Sequence, residues 1–104
     1  MTKPAPASTP TIYLEGPIGA SQGGKLTAAS VRSQLAAFAG APVVRVEINS
    51  DGGDLVEGLA IYSALRAHPS RKVGVVMGMA ASMASVLLQA CDERRMARGS
   101  FLRI

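Results

Sequence analysis

Tryptophan is absent, and cysteine and histidine occur once each, as Cys91 and His68. A single cysteine excludes an internal disulfide framework. One cysteine with one histidine leaves too few ligands for a zinc site of the usual Cys/His kind. No metal and no cofactor are expected. Aromatic residues make up only 4% of the chain and are scattered as Tyr13, Phe38, Tyr62 and Phe101. Charged residues are also sparse, 17% against 48% hydrophobic, a balance that excludes intrinsic disorder. At 104 residues the chain has the length of one ordinary domain.

What charge there is falls unevenly. The net charge is +4, yet Arg66, Arg71, Lys72, Arg94, Arg95, Arg98 and Arg103 against Asp92 and Glu93 give the stretch from residue 65 onward +5. A nucleic-acid surface would add interleaved aromatics or a known module to such a basic stretch. Neither is present, so a solvated basic face is expected and no nucleic-acid partner.

Residues 1–10 carry Pro4, Pro6 and Pro10 among small neighbours and lack the apolar run of a signal peptide, so they read as a flexible lead-in. Order is expected over 11–104. Thr11–Leu14 is a short strand stopped by Gly16-Pro17, and a Gly-rich loop continues to Gly24. A helix spans Thr27–Phe38, with Val31, Leu35 and Phe38 on one face, Thr27 as N-cap and Gly40 as its stop. Val43–Ile48 is a strand, and a helix runs from about Asp54 to Ala67. Lys72–Met77 is a buried strand punctuated by Gly78, and Ala80–Cys91 is helical by propensity. Arg94–Ala97 and Phe101–Ile104 are two short strands. Strands alternating with helices make an α/β domain with a mainly parallel sheet.

Two local signals mislead. Val73–Cys91 is 19 residues without a charge, long enough for a membrane span. Its halves differ, however, Val and Gly giving way to Ala, Met and Leu at Gly78, and basic residues flank both ends. A strand entering a helix accounts for it better, and no membrane association is expected. Gly19–Leu26 nearly matches the phosphate loop G-x-x-x-x-G-K-[ST]. The position that must supply a hydroxyl is Leu26, and Thr27 comes one residue late, about 100° around a helix. An ordinary connection is expected.

Two turn-to-helix junctions carry the chemistry. At the first, Asn49-Ser50-Asp51-Gly52-Gly53 follows a strand and opens a helix. Paired glycines bring bare N–H groups to the surface at the positive end of a helix, where an oxyanion is stabilised. At the second, Gly78–Ser85 starts a helix after a buried strand, and Ser82 lies in its opening turn among small residues. There the N–H of Met83 can join that of Gly53 in holding an oxyanion. Either junction alone reads better as a plain strand-to-helix turn with close helix packing.

In this order and spacing, Ile48–Gly53, Gly58–Tyr62 and Gly78–Met83, with Tyr13–Ile18 before them, resemble the proteolytic subunit of the Clp protease, the ClpP family. The resemblance runs from about Tyr13 to Ile104. The spellings Asp51–Asp54 and Ala80–Ser85 look closer to the phage-associated, head-maturation type. It implies a ClpP/crotonase-like fold of repeated β-β-α units and a serine-type endopeptidase that cleaves polypeptides through an acyl-enzyme. Ser82 is the implied nucleophile, and the N–H groups of Gly53 and Met83 are the implied oxyanion hole. The resemblance further implies a cytoplasmic homo-oligomeric ring served by an AAA+ unfoldase ATPase. Two positions depart from the housekeeping pattern: Asp51 stands where Pro is usual, and Ser85 near where Gly or Ala is usual. Ser85 reads as packing, since its side chain points around the helix from Ser82.

The family's histidine and aspartate are missing from these residues, the histidine being expected just after Ile104. The sequence therefore reads as the N-terminal half of the peptidase domain, inactive on its own. His68 ends a helix and matches no catalytic position. Cys91 reads as a buried small hydrophobe. Lys25 and Lys72 are the available amines, and Lys72 opens the strand at the end remote from Ser82. Two other functions stay open: a non-catalytic ring subunit or regulator, and a crotonase-like acyl-thioester site built on the same N–H pair.

Overall fold

The computed structural model describes residues 9–104, so the lead-in expected over residues 1–8 lies outside the described residues. The first strand, β1 (Thr11–Glu15), buries Ile12 and Leu14 and exposes Tyr13 and Glu15, the period-two alternation of a strand with one covered face. A short 3-10 turn at Ala20–Gln22 interrupts the glycine-rich loop. Helix α1 (Ala28–Ala36) buries Ala28, Val31 and Leu35. Its N-cap is Thr27, whose hydroxyl accepts from the Ser30 N–H at 3.1 Å while the Ser30 hydroxyl accepts from the Thr27 N–H at 3.1 Å. This reciprocal box satisfies two otherwise orphaned donors.

Strand β2 (Val43–Ser50) buries Val44, Val46, Ile48 and Ser50. Helix α2 (Leu55–Ala67) is capped by Asp54, whose carboxylate accepts from the Glu57 N–H, and it buries Gly58, Ile61 and Leu65. Strand β3 (Arg71–Ala81) is buried without a break from Lys72 to Val76, as expected of a central strand covered on both faces. Helix α3 (Met83–Leu88) follows at once, then β4 (Glu93–Met96) and β5 (Phe101–Arg103). The sheet order is β1-β2-β3-β4, with β5 pairing the far end of β3, and every pair is parallel. The core lies between this sheet and the helices, with Ile12, Leu14, Val31, Val46, Ile48, Ile61, Leu65 and Leu87 at its centre.

The mixed α/β class with a mainly parallel sheet is as expected, and two boundaries differ. The third strand does not stop at Gly78 but continues to Ala81, and α3 starts only at Met83. Pairing supplies the reason: β5 aligns Phe101–Arg103 with Met79–Ala81, and Asn49 Oδ1 accepts from the Met79 N–H at 3.2 Å. These tertiary hydrogen bonds override the helix propensity of Ala80 and Ala81. Gly78 serves close approach rather than termination, since a side chain there would collide with the Asn49 amide. Likewise Gly40 is not the stop of α1, which ends on Ala37 in ordinary helical geometry. No helix among the described residues is long and apolar enough to cross a membrane, because Val73–Cys91 divides between β3 and α3.

Candidate active site

The carboxyl ends of β1, β2 and β3 converge, and in parallel sheets such ends gather functional groups. At the end of β3 the backbone turns through Ser82, with φ 54° and ψ −125°. Ser82 is the only non-glycine residue with positive φ among the described residues, and it is exposed. Positive φ costs a side-chain-bearing residue of order 1–3 kcal/mol, so the surrounding structure must hold it there. Three hydrogen bonds anchor the turn. The Ser82 N–H donates to the Arg103 carbonyl at 2.8 Å, and the Ser82 carbonyl accepts from the Ser85 N–H at 2.9 Å and its hydroxyl at 2.6 Å.

At the end of β2 the chain turns through Gly52 (φ 100°) and Gly53 (φ 150°). Ser50 braces this turn: its buried hydroxyl donates to the Gly16 carbonyl at 2.7 Å and accepts from the Gly52 N–H at 3.1 Å. Gly53 lies flat against Ile18. The Ile18 N–H donates to the Gly52 carbonyl at 2.9 Å, and the Asp54 N–H donates to the Ile18 carbonyl at 3.0 Å. Gly52 faces the other way: a Cβ there would sit 3.0 Å from Ser82 Cβ and 3.2 Å from the Met83 nitrogen. Glycine is required here twice over, by conformation and by contact with the serine turn.

The structure thus brings Ser82, Gly53 and Met83 into one pocket of about 310 Å³, walled by Leu55, Ser85, Val86 and Ile104. Neither the Gly53 N–H nor the Met83 N–H donates to any acceptor among the described residues. Two free donors beside an exposed hydroxyl and an apolar wall make a place where a carbonyl can be polarised and a side chain received. Sequence reasoning missed Ser50 and the carbonyl of Arg103. The Asn49-Ser50 pair before two glycines was the available signal for Ser50. Ser85 packs into α3 and also holds the Ser82 carbonyl, so it supports the turn without presenting its hydroxyl.

His68 and Lys72 are engaged elsewhere. His68 accepts from the Ser70 N–H through Nδ1 at 3.3 Å, so its Nε2 carries the proton and donates to the Leu35 carbonyl at 3.1 Å. Lys72 is buried, and its Nζ donates to the carbonyls of His68 and Ser70, both at 2.8 Å, with Asp92 at 3.9 Å. Both lie at the start of β3. Its 11 residues put roughly 30 Å between them and Ser82. Asp92 is held below the ordinary carboxylate range, first by the Lys72 N–H donating to it at 2.8 Å and then by neighbouring cations. Burial pushes the Cys91 thiol up to about 11.

A family model for Clp protease matches residues 11–100. The chain belongs to the Clp protease family. Among curated relatives, it is 54% identical over 41 residues to "ATP-dependent Clp protease proteolytic subunit 3" of Rhodococcus jostii (strain RHA1), covering 39% of this chain and 20% of that protein. It is 44% identical over 55 residues to "ATP-dependent Clp protease proteolytic subunit" of Deinococcus radiodurans, covering 52% of this chain and 27% of that protein. In three dimensions this Clp-family chain matches the crystal structure of the ClpP protease catalytic domain from Plasmodium falciparum, with a TM-score of 0.77 at 29% identity. That match covers 91% of this chain and 54% of the catalytic domain, so the chain spans about half of the solved relative.

Proposed function

We propose that the chain is the nucleophile-bearing half of a serine endopeptidase of the Clp type, acting through Ser82. The observation that carries this reading is the exposed Ser82 on its strained turn, sharing one pocket with the unengaged N–H groups of Gly53 and Met83. In the reaction, Ser82 Oγ forms a bond to the scissile carbonyl carbon as its proton passes to a base. The carbonyl electron pair moves onto oxygen, where the two N–H groups stabilise it. Collapse breaks the C–N bond, the amine leaves with the proton, and water then hydrolyses the acyl-serine. The wall of Leu55, Val86 and Ile104 receives an apolar substrate side chain beside the scissile bond.

Neither His68 nor Lys72 is placed to serve as the base. Both nitrogens of His68 are already hydrogen-bonded, and His68 and Lys72 both sit at the remote end of β3. Ile104 lines the Ser82 pocket, so a histidine following it, or one on a partner, enters beside the nucleophile. The relatives' printed names support ATP-dependent proteolysis. On that basis the intact protein is a cytoplasmic subunit of a homo-oligomeric ring that receives polypeptides from a Clp-type ATPase. A second reading, a non-catalytic ring subunit, is favoured by the engagement of His68 and Lys72 far from Ser82.

Fluorophosphonate labelling separates the two readings. The 104-residue chain alone is expected to remain unlabelled. The chain extended along its reading frame, or co-assembled with a full-length Clp proteolytic subunit, is expected to be labelled at Ser82, and Ser82→Ala to abolish it. Stable co-assembly with no labelling in any form would favour the second reading.

A further inference from the structure

A second cavity adjoins the Ser82 pocket. It measures about 380 Å³ and is lined by Pro17, Asp51, Gly52 and Gly53. Gly53 lines both cavities, so they meet beside the serine pocket, one with an apolar wall and the other with a carboxylate. Asp51 is the only charged residue lining this second cavity among the described residues. Its situation differs from that of the nearby carboxylates. Asp54 caps α2 by accepting from the Glu57 N–H at 3.2 Å, and Glu57 accepts from the Ala28 N–H at 2.5 Å. The Asp51 carboxylate makes no hydrogen bond or ion pair with any described residue, while the backbone beside it is braced by Ser50 and Gly52.

An unengaged anion at the edge of a binding site lowers the free energy of a cation placed opposite it and raises that of an anion. We infer that Asp51 is a specificity-determining residue, which makes the site prefer polypeptides carrying Lys or Arg on the side of the scissile bond that runs over Pro17 and Gly52. The inference rests on the reading of the Ser82 pocket as a peptide site. It adds to it a charge preference that the apolar wall alone would not produce. Because Asp51 is exposed, the preference is modest, about two- to fivefold, and it weakens as salt screens the pair.

Peptide binding to the 104-residue chain, followed by fluorescence anisotropy, tests this without requiring turnover. The probes are one uncharged apolar peptide and derivatives with Lys or Glu placed at each position in turn. At one or two positions Lys is expected to bind about two- to fivefold more tightly than Glu. The difference should disappear in Asp51→Asn and reverse in Asp51→Lys. Val86→Glu, on the apolar wall, serves as the control for the site itself. If the uncharged peptide binds and Val86→Glu weakens it, but Lys and Glu bind alike everywhere, the inference fails while the peptide-site reading stands. A Lys preference that survives in Asp51→Asn also overturns it. If no peptide binds, both fall.

Discussion

The backbone N–H of Ser82 donates to the carbonyl of Arg103 at 2.8 Å. The serine turn is therefore tied to β5, a strand of three residues that pairs only with the last part of β3. The neighbouring N–H groups of Gly53 and Met83 have no acceptor among the described residues. Amide hydrogen exchange should separate these three positions. Ser82 is expected to exchange about tenfold more slowly than Gly53 and Met83, the equivalent of one net backbone hydrogen bond. In a chain ending at Ser100 that protection should vanish. Equal exchange at all three amides would show that β5 does not hold the turn.

Strain at Ser82 predicts an unusual stability result. Its φ of 54° suits glycine better than any residue with a Cβ. Ser82→Gly relieves strain of order 1–3 kcal/mol at the cost of about 0.5–1 kcal/mol in chain entropy, for a net gain of about 1 kcal/mol. The melting temperature should rise by about 4–8 °C. Ser82→Ala keeps the Cβ and should give no such rise. Calorimetry on both variants checks this, and identical melting temperatures would remove strain from the account.

Acid stability should depend on Asp92. Its folded-state pKa is depressed because the Lys72 N–H donates to the carboxylate, with the charges of Lys72 and Arg71 adding to the effect. A depressed carboxylate contributes stability that is fully present above its ordinary value of 3.8. That contribution is lost as pH falls below this value through the folded pKa. Asp92→Asn should therefore be less stable than the parent at neutral pH, with the gap closing toward about pH 2. Urea unfolding across this range measures it, and a gap independent of pH would exclude the ionised carboxylate as the cause.

Cys91 should be inert in the folded chain. Burial raises its thiol to about 11, and the sulfur packs against Gly74, where a Cβ would lie 2.8 Å away. Thiolate is the reacting form, so alkylation by iodoacetamide at neutral pH should be very slow until the chain is unfolded. Rapid alkylation under native conditions would contradict this packing.

The amphipathic elements and both glycine-bearing junctions were legible in the sequence because period and turn chemistry are local properties. Thr27 and Asp54 were recognisable as boundary residues for the same reason, and both serve as caps. The length of β3 was not legible. Ala80 and Ala81 favour a helix locally, and pairing with Phe101–Arg103 on one side and with Ser50 on the other keeps them extended. The support of the site was hidden likewise. Ser50 reaches the Gly16 carbonyl 34 positions away, and Ser82 is held by a carbonyl contributed near the far end of the chain. Motif spacing pointed to Ser82, Gly53 and Met83 as a group, and one pocket contains all three. The commitment of His68 and Lys72 to nearby carbonyls came only from the fold.

The central claim is that Ser82 attacks a carbonyl whose oxygen is received by the N–H groups of Gly53 and Met83. A peptide boronic acid with an apolar terminal side chain mimics that step: boron accepts Ser82 Oγ, the serine proton passes to solvent, and a boron-bound oxygen takes the oxyanion position. Nitrogen-15 NMR of the chain extended along its reading frame, the form expected to react, titrated with this compound should show the Gly53 and Met83 amides shifting together, with no such shifts in Ser82→Ala. If neither amide moves, or if the same shifts persist in Ser82→Ala, the assignment of nucleophile and oxyanion hole is wrong.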